Sequence, residues 1–257
     1  MDILQAVILS VVEGVTEFLP ISSTAHQVLT AQLLSIPQTQ FVKSFEIFIQ
    51  LGAILAVIVL YWRRVLKQKE IWKRILIAFL PTAIVGLLFY KIIKEVLIGN
   101  IVLTLWAIFL GGILLISLEL LYKEKQHHAA DIKDLSYRQS FLIGLIQALS
   151  VVPGVSRAGA TIVGALMLGA KRAVAVEFSF LLAVPTLLSA ASLDLMKMQF
   201  RFSFDEWLVL MVGFGGAFVS AMLVIKWFLK FVSKNNFISF GVYRIILAIA
   251  FGFFFLK

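Results

Sequence analysis

Residues 5–34 read QAVILSVVEGVTEFLPISSTAHQVLTAQLL, a stretch that is apolar at both ends and polar in the middle. A helix needs about 20 consecutive apolar residues to cross a bilayer. Here the apolar run 5–18 gives way to LPISS before a second apolar run, 24–34, begins. Each run holds about 11–14 residues, or roughly 16–21 Å of helix, which is shorter than the ~30 Å hydrocarbon core. Broken helix pairs are tolerated where they are buried in protein or line a wet cavity, so the stretch predicts a re-entrant helical hairpin.

The rest of the chain is also strongly apolar. Hydrophobic residues make up 61% of its 257 residues and charged residues 14%, whereas soluble domains average about 45–50% and about 25%. The excess runs along the whole length, which indicates an integral helical membrane protein. Six stretches are long enough to span a bilayer, at 44–62, 76–93, 101–122, 177–196, 206–229 and 237–256. A second broken pair, 139–152 and 157–170 around VPGVS, predicts a second re-entrant hairpin.

Lysine and arginine predict the orientation in the membrane. Four basic clusters, within 63–74, 123–138, 171–172 and 226–234, fall on one side of the predicted spans. The positive-inside rule assigns that side to the cytoplasm and both termini to the outside. The net charge of +9 is therefore assigned to loops that face anionic lipid and not to a nucleic-acid partner. The absence of cysteine excludes disulfides and thiolate metal sites.

The two broken regions look like copies of each other. QAVILSVVEGVTEFLPISS aligns with QSFLIGLIQALSVVPGVS, which places Glu13 over Gln147 and Pro20 near Pro153. Each half of the chain, about 1–125 and 135–257, then holds one hairpin and three spans. An odd number of crossings inverts the second half, so that the two hairpin tips meet near the midplane.

The predicted fold is therefore an all-α polytopic membrane protein with six transmembrane helices and two re-entrant helical hairpins in an inverted-topology repeat. We expect a single integral membrane domain over residues 1–257.

Two carboxylates precede the first tip. Glu13 and Glu17 are four residues apart and share one helical face. Because two buried carboxylates repel, one carries a proton, or a cation or an arginine lies between them. A divalent cation, Mg²⁺ or Ca²⁺, is one expectation, since acidic pairs beside phosphate hold such ions. The plainer interpretation is that Glu13 is hydrated near a membrane surface.

Hydroxyls and a histidine follow the break. Ser22, Ser23 and Thr24 suit the N-cap of the second arm, and a helix N-terminus attracts an anion. His26 lies three residues after Ser23, on the same side of the first turn. The plainer interpretation is capping alone for the hydroxyls and an interior structural histidine for His26.

The second tip reads PGVSRAGAT over residues 153–161. Pro153 and Gly154 break the helix, Ser156 can cap the next one, and Thr161 shares a face with Arg157. A guanidinium suits bidentate recognition of phosphate, although Arg157 could instead form a structural ion pair with Glu17 or Glu13.

Together the tips predict a lipid phosphate site, since a tail can lie between helices while its head enters the polar pocket. Phosphoryl transfer needs charge stabilisation, an in-line nucleophile and proton handling. Arg157 and the helix N-termini supply the first. Ser23, His26 or a water molecule could attack phosphorus, with His26 or Glu17 as the base, and the pattern leaves that choice open.

At these residues the sequence resembles the undecaprenyl pyrophosphate phosphatase family, the bacterial UppP/BacA enzymes. The motif E/Q-x-x-x-E is matched by Glu13 to Glu17 and P-x-S-S-T-x-H by Pro20 to His26. The motif P-G-x-S-R-S-x-x-T is matched over residues 153–161 except at Ala158. The segments FEIFIQLGAILAVI and EFSFLLAVP also look like that family, and the likeness covers nearly the whole chain.

The resemblance implies hydrolysis of undecaprenyl diphosphate to undecaprenyl phosphate and inorganic phosphate. That reaction recycles the lipid carrier for peptidoglycan and other envelope polymers and confers bacitracin resistance. It implies a multi-pass protein of the bacterial cytoplasmic membrane, with its site open to the extracytoplasmic side, and dependence on a divalent cation. The implied site residues are, for catalysis, Glu17, Ser23, His26 and Arg157, and for diphosphate binding, Ser22, Thr24, Gly154, Ser156 and Thr161. Ala158 removes one hydroxyl of the motif.

Other functions compatible with the pattern differ in class. Inverted repeats and broken helices also suit a transporter or flippase of a lipid phosphate, alone or combined with hydrolysis. A passive scaffold would leave Glu17, His26 and Arg157 without a role. Lipid phosphatases built on two histidines are disfavoured, because no second histidine motif is present. Whether the protein forms a homodimer is left open.

Overall fold

The computed structural model describes residues 1–97, 100–196 and 202–255. In these ranges the regular structure consists of helices, with no strand. The α-helical segments are α1 Ile3–Thr16, α2 Ser23–Leu33, α3 Gln40–Lys67, α4 Lys69–Leu88, the single turn α5 Tyr90–Ile92, α6 Ile101–Leu121, α7 Tyr137–Ala148, α8 Arg157–Met167, α9 Arg172–Leu195, α10 Phe204–Val232 and α11 Ile238–Phe255. A π-helical turn spans Ile93–Leu97, and 3₁₀ turns span Ile132–Asp134 and Leu149–Val151.

Within the described ranges, five helices are long and apolar enough to cross a membrane. They are Gln40–Arg64, Lys69–Leu88, Ile101–Leu121, Arg172–Leu195 and Phe204–Val232. The chain is therefore a multi-pass helical membrane protein, and five of the predicted spans coincide with these helices.

The sixth predicted span, 237–256, coincides with α11. Its described apolar portion, Ile238–Phe253, is shorter than the five long helices, and residue 256 lies outside the described part of the chain.

Several helix boundaries differ from the predicted ones. The helix predicted at 76–93 begins earlier, at Lys69, and ends at Leu88, and a separate short turn follows. Helix α3 extends beyond the predicted 44–62 at both ends, because Thr39 caps it by accepting from the Val42 N–H and its last turn carries basic residues. The spans were predicted from apolar stretches alone, and such stretches leave out the polar residues that continue a helix at its ends.

Both predicted breaks are present. Helix α1 has 14 residues and α2 has 11, while α7 has 12 and α8 has 11, so each is too short to cross a ~30 Å core. The chain turns at Ser22 with φ 71° and at Ser156 with φ 73°. This left-handed conformation is rare outside glycine, and it recurs at positions that the repeat alignment equates.

The helices pack in matching pairs. Helix α1 packs against α10, and α7 packs against α4; α6 packs against α11, and α3 against α9. Helices α1 and α10 approach closely at Gly14, where an added Cβ would lie only 2.6 Å from the Ala217 carbonyl oxygen. In the second pair, a Cβ at Gly144 would overlap the Ala78 carbonyl group. Each hairpin is thus held against a long helix from the other half of the chain.

Candidate active site

The two hairpin tips meet at an ion pair. Arg157, the first residue of α8, places Nη2 3.0 Å from Glu17 Oε1 and 3.4 Å from the Glu17 carbonyl oxygen. Both side chains are buried, with exposures of 8% and 5%. Arg157 therefore forms the ion pair with Glu17 that the sequence left as an alternative to phosphate binding, and this pair joins the two halves of the chain.

The ion pair does not use all of the guanidinium. Arg157 Nη1 donates to the Ser179 carbonyl oxygen at 2.7 Å and lies 3.2 Å from the Ser179 hydroxyl. Its Nε is buried and has no hydrogen-bond acceptor. A buried donor without a partner is costly, so this N–H is free to donate to a ligand oxygen.

The second oxygen of Glu17 holds Ser23. The Ser23 hydroxyl donates a short hydrogen bond to Glu17 Oε2. Ser23 is the first residue of α2, so its hydroxyl lies at a helix N-terminus beside a carboxylate. A hydroxyl that donates to a carboxylate has a proton acceptor in place, which is the arrangement of an activated nucleophile.

His26 is held at both ring nitrogens. Nδ1 lies 2.8 Å from the Ser22 carbonyl oxygen, and Nε2 lies 2.6 Å from the Tyr243 hydroxyl. A carbonyl oxygen only accepts, so Nδ1 carries a proton, and in the neutral ring Nε2 then accepts from the Tyr243 hydroxyl. The ring is thus fixed in one tautomer and has no free nitrogen.

The two serines at the turns differ in their capping. The Ser156 hydroxyl accepts from the Gly159 N–H at 3.1 Å, which confirms it as the N-cap of α8. Ser22 occupies the N-cap position of α2 but makes no side-chain capping bond. The prediction that the Ser22, Ser23 and Thr24 hydroxyls cap this helix is wrong for Ser22 and Ser23, because Ser23 bonds Glu17 instead.

The other three residues predicted to bind the diphosphate, Gly154, Thr24 and Thr161, differ in how exposed they are and in what they contact. Gly154 lies in the second break with φ +94°, where a Cβ would also overlap the Thr104 carbonyl group. Thr24 is exposed on the first turn of α2. Thr161 is fully buried, and its hydroxyl lies 3.0 Å from Gln147 Oε1 and 2.9 Å from the Arg157 carbonyl oxygen. The Thr161 hydroxyl is therefore engaged inside the protein.

Glu13 lies deeper than Glu17. It is 1% exposed, and its Oε2 accepts from Gln27 Nε2 at 3.2 Å. Gln27 Nε2 also donates to the Leu9 carbonyl oxygen at 2.9 Å. The hydrated surface position considered for Glu13 is wrong, because the side chain is buried and hydrogen-bonded to Gln27 of α2. Among the described residues, the ion-pair partner of Arg157 is Glu17 and not Glu13.

Glu13 and Gln27 each have one buried side-chain oxygen that accepts no hydrogen bond. Both Glu13 Oε1 and Gln27 Oε1 are buried without a hydrogen-bond partner. Oxygen ligands of this kind suit Mg²⁺ or Ca²⁺, so the residues fit such an ion. Within the part of the chain that the structure describes, no group of three His, Cys, Asp or Glu residues could hold a metal. Any cation here therefore needs amide or ligand oxygens as well.

Sequence reasoning missed two neighbouring residues of α11. Tyr243 donates to His26, and Arg244 is 1% exposed and contacts both tips. A signal was available, since an arginine inside an apolar stretch of membrane-spanning length is a functional candidate by default.

Comparison with known proteins covers the whole length of the chain. A family model described as bacitracin resistance protein BacA matches residues 6–250. The undecaprenyl-diphosphatase of Aquifex aeolicus (strain VF5) is 50% identical over 252 residues, 98% of each chain. That of Sulfurihydrogenibium sp. (strain YO3AOP1) is 51% identical over 249 residues, 97% of this chain and 98% of the relative. That of Methanococcus aeolicus is 44% identical over 257 residues, 100% of both. The chain therefore belongs to the bacitracin resistance protein BacA family.

Proposed function

We propose that this protein is an undecaprenyl-diphosphatase, which hydrolyses undecaprenyl diphosphate to undecaprenyl phosphate and inorganic phosphate. Relatives with that name are 44–51% identical over nearly the whole chain. The observation that carries the proposal for this chain is that Glu17 contacts both Ser23 and Arg157. A hydroxyl, a base and a phosphate-binding cation are what phosphoryl transfer requires at one place.

In a bacterial cytoplasmic membrane this reaction recycles the carrier lipid for peptidoglycan and other envelope polymers. The family description names bacitracin resistance, which we extend to this protein. We assign the opening of the site to the extracytoplasmic side, as the family resemblance implies, and the Lys- and Arg-rich loops to the cytoplasm.

In the proposed mechanism, the Ser23 oxygen attacks the terminal phosphorus while Glu17 takes the hydroxyl proton. The serine O–P bond forms, the anhydride P–O bond breaks, and undecaprenyl phosphate leaves with the bond's electron pair. Water then cleaves the phosphoserine, which releases inorganic phosphate and restores the Ser23 hydroxyl. His26 is disfavoured as the nucleophile, because both of its ring nitrogens are already hydrogen-bonded.

Binding of the diphosphate is assigned to positive groups at the two tips. Arg157 Nε is a buried donor without an acceptor, and it would donate to a non-bridging phosphate oxygen. The free N–H groups at the start of α2 and α8 add the partial positive charge of a helix N-terminus. Ser22 and Ser156 set the turns that present these two ends.

A divalent cation, Mg²⁺ or Ca²⁺, is proposed to bind at Glu13 beside Glu17. When bound, it would neutralise part of the charge of the diphosphate. Glu13 Oε1 and Gln27 Oε1 are the oxygens without donors, whereas both oxygens of Glu17 are occupied. Glu13 and Gln27 would therefore hold the ion, and Glu17 would serve mainly as the base.

We also propose the full predicted topology, with α11 as the sixth span and two re-entrant hairpins in halves 1–125 and 135–257. The two turns with φ 71° and 73° and the matched packing of α1 on α10 and of α7 on α4 support it. The contact between Gln27 and Glu13 has a counterpart in the contact between Thr161 and Gln147.

Transport of a lipid phosphate is the second candidate function, favoured by the same matched packing of broken helices. Purified protein in detergent separates the two, because hydrolysis needs no second compartment. We expect inorganic phosphate to be released from undecaprenyl diphosphate in micelles containing Mg²⁺. No release from folded protein, with lipid translocation in proteoliposomes, would overturn the proposed hydrolysis.

A further inference from the structure

Arg244 is a fully buried arginine in the N-terminal half of α11. Its side chain is 1% exposed, and all five N–H donors of a guanidinium are used on backbone carbonyl oxygens. Nε donates to Ile108 at 3.1 Å. Nη1 donates to Pro20 and to Val155, each at 3.1 Å. Nη2 donates to Ala107 at 3.0 Å and to Gly154 at 2.9 Å.

The five carbonyls belong to three separate parts of the chain. Pro20 lies in the first break, Gly154 and Val155 lie in the second, and the other two carbonyls belong to α6. Carbonyls in the breaks lack the intrahelical N–H partner that a continuous helix would supply. One side chain therefore links both hairpin tips and attaches them to α6.

The surroundings leave room for this guanidinium and little else. A Cβ at Gly111 of α6 would lie 2.7 Å from Arg244 Cζ, and a Cβ at Gly159 of α8 would lie 3.4 Å from Nη1. Glycine at position 111 thus lets the charged group reach the carbonyls of α6.

The charge of Arg244 has no carboxylate partner in the described ranges, since none of the ion pairs there includes it. Burying an ion without a counter-charge is strongly unfavourable, and an apolar side chain would fill the same volume without that cost. A diphosphate between the tips would supply the missing negative charge.

We propose that Arg244 is a positioning residue of the site. It holds the two tips at a fixed separation, so that Arg157 and Ser23 reach the same carboxylate of Glu17, and its charge strengthens the attraction for phosphate. This inference rests on the site proposed above.

Distance measurement tests the positioning directly. The chain contains no cysteine, so spin labels at Val28→Cys and Leu149→Cys, whose native residues are 44% and 62% exposed, report on the two hairpins alone. We expect a narrow distance distribution in the otherwise unchanged protein and a broader or shifted one in Arg244→Gln and Arg244→Lys. Lysine has three donors and cannot serve five carbonyls.

Kinetics separates the two parts of the proposal. We expect kcat to fall about 100-fold in both variants, which is the cost of a misplacement of ~1 Å. KM should rise more in Arg244→Gln than in Arg244→Lys, because lysine keeps the charge. Gly111→Ala is a second test of the positioning, because its methyl group would displace the Arg244 guanidinium while the arginine itself is retained. It should also broaden or shift the distribution of distances between the two spin labels.

Arg172→Gln is the matched control. It breaks the ion pair with Glu119, away from the tips, and should lower Tm without changing the distance between the labels. The proposal is overturned if the distance distribution of Arg244→Gln and of Gly111→Ala equals that of the parent, whatever their activity. The distances are measured without substrate, so an absence of phosphatase activity in the parent would leave this result standing.

Discussion

Glu17 binds a different partner with each carboxylate oxygen. Oε1 accepts from Arg157, 140 residues away in sequence, and Oε2 accepts from Ser23. Breaking a buried ion pair by removing one partner costs ~3–5 kcal/mol, because the other charge is left unpaired. Variants at Arg157 therefore affect stability as well as chemistry, and their activity has to be measured on folded protein.

Gln27 orients Glu13 in the proposed cation site. Gln27→Leu removes a proposed ligand oxygen and also the donor to Glu13. Loss of a supporting group alone lowers metal affinity about 10–100-fold, so we expect at least that loss. Titration of purified protein with Mn²⁺, followed by electron paramagnetic resonance, measures this affinity independently of turnover. Gln27→Glu should bind Mn²⁺ more tightly, since it adds a carboxylate.

The control for Gln27 is the equivalent position of the second half. Thr161→Val removes the hydroxyl that contacts the uncharged Gln147 and should leave the Mn²⁺ affinity unchanged. Equal affinity in Gln27→Leu and the parent would exclude Gln27 from the site.

Tyr243 holds His26 at Nε2, whereas the Ser22 carbonyl oxygen fixes the proton on Nδ1. Tyr243→Phe removes one hydrogen bond, to Nε2, and a bond between neutral groups contributes about 0.5–1.5 kcal/mol, so kcat/KM should fall about two- to tenfold. Phosphate release in detergent checks this. Tyr137→Phe also removes a hydrogen-bonded hydroxyl, that to Glu70, and should retain full activity. Parent-like kinetics in Tyr243→Phe would show that the reaction does not depend on the hydrogen bond between Tyr243 and His26.

At the scale of elements, the hairpins depend on close contact with α4 and α10. Gly144→Ala would force the Ala78 carbonyl group of α4 away from α7. Overpacking of this kind costs ~1–3 kcal/mol, so Tm should fall. Gly86→Ala, on the same α4, places its methyl group where no atom lies within 4 Å. It should keep or raise Tm, since alanine favours helix by up to about 1 kcal/mol. Equal Tm values for the two variants would contradict the close packing.

The helix breaks could be predicted from sequence, because proline, glycine and hydroxyl residues interrupt apolar runs too short to cross a bilayer. Local chemistry also predicted the Ser156 cap, which needs only residues three apart. Ser22 occupies the corresponding N-cap position of α2 and makes no capping bond, and the neighbouring Ser23 hydroxyl donates to Glu17 instead. A local pattern cannot weigh that competing contact.

Across the whole molecule, the inverted alignment allowed Arg157 and Glu17 to be expected at one place, and their contact is present. The contribution of α11 could not be predicted in the same way. The contact between Arg244 and Pro20 joins residues 224 positions apart, and that between Tyr243 and His26 joins residues 217 apart. Apolar periodicity specifies which face of a helix is buried, but not which distant backbone it contacts.

The central claim is that Ser23, Glu17 and Arg157 form the hydrolytic site. Phosphate release from undecaprenyl diphosphate by purified Ser23→Ala, Glu17→Gln and Arg157→Ala tests it most directly. Loss of one preorganised charged or hydrogen-bonding group costs about 10²–10³ in kcat, and we expect at least that loss in each variant. Glu177→Gln, at a buried carboxylate paired with Arg64, should keep its activity. Near-normal turnover by any of the three folded tip variants would contradict the proposed site.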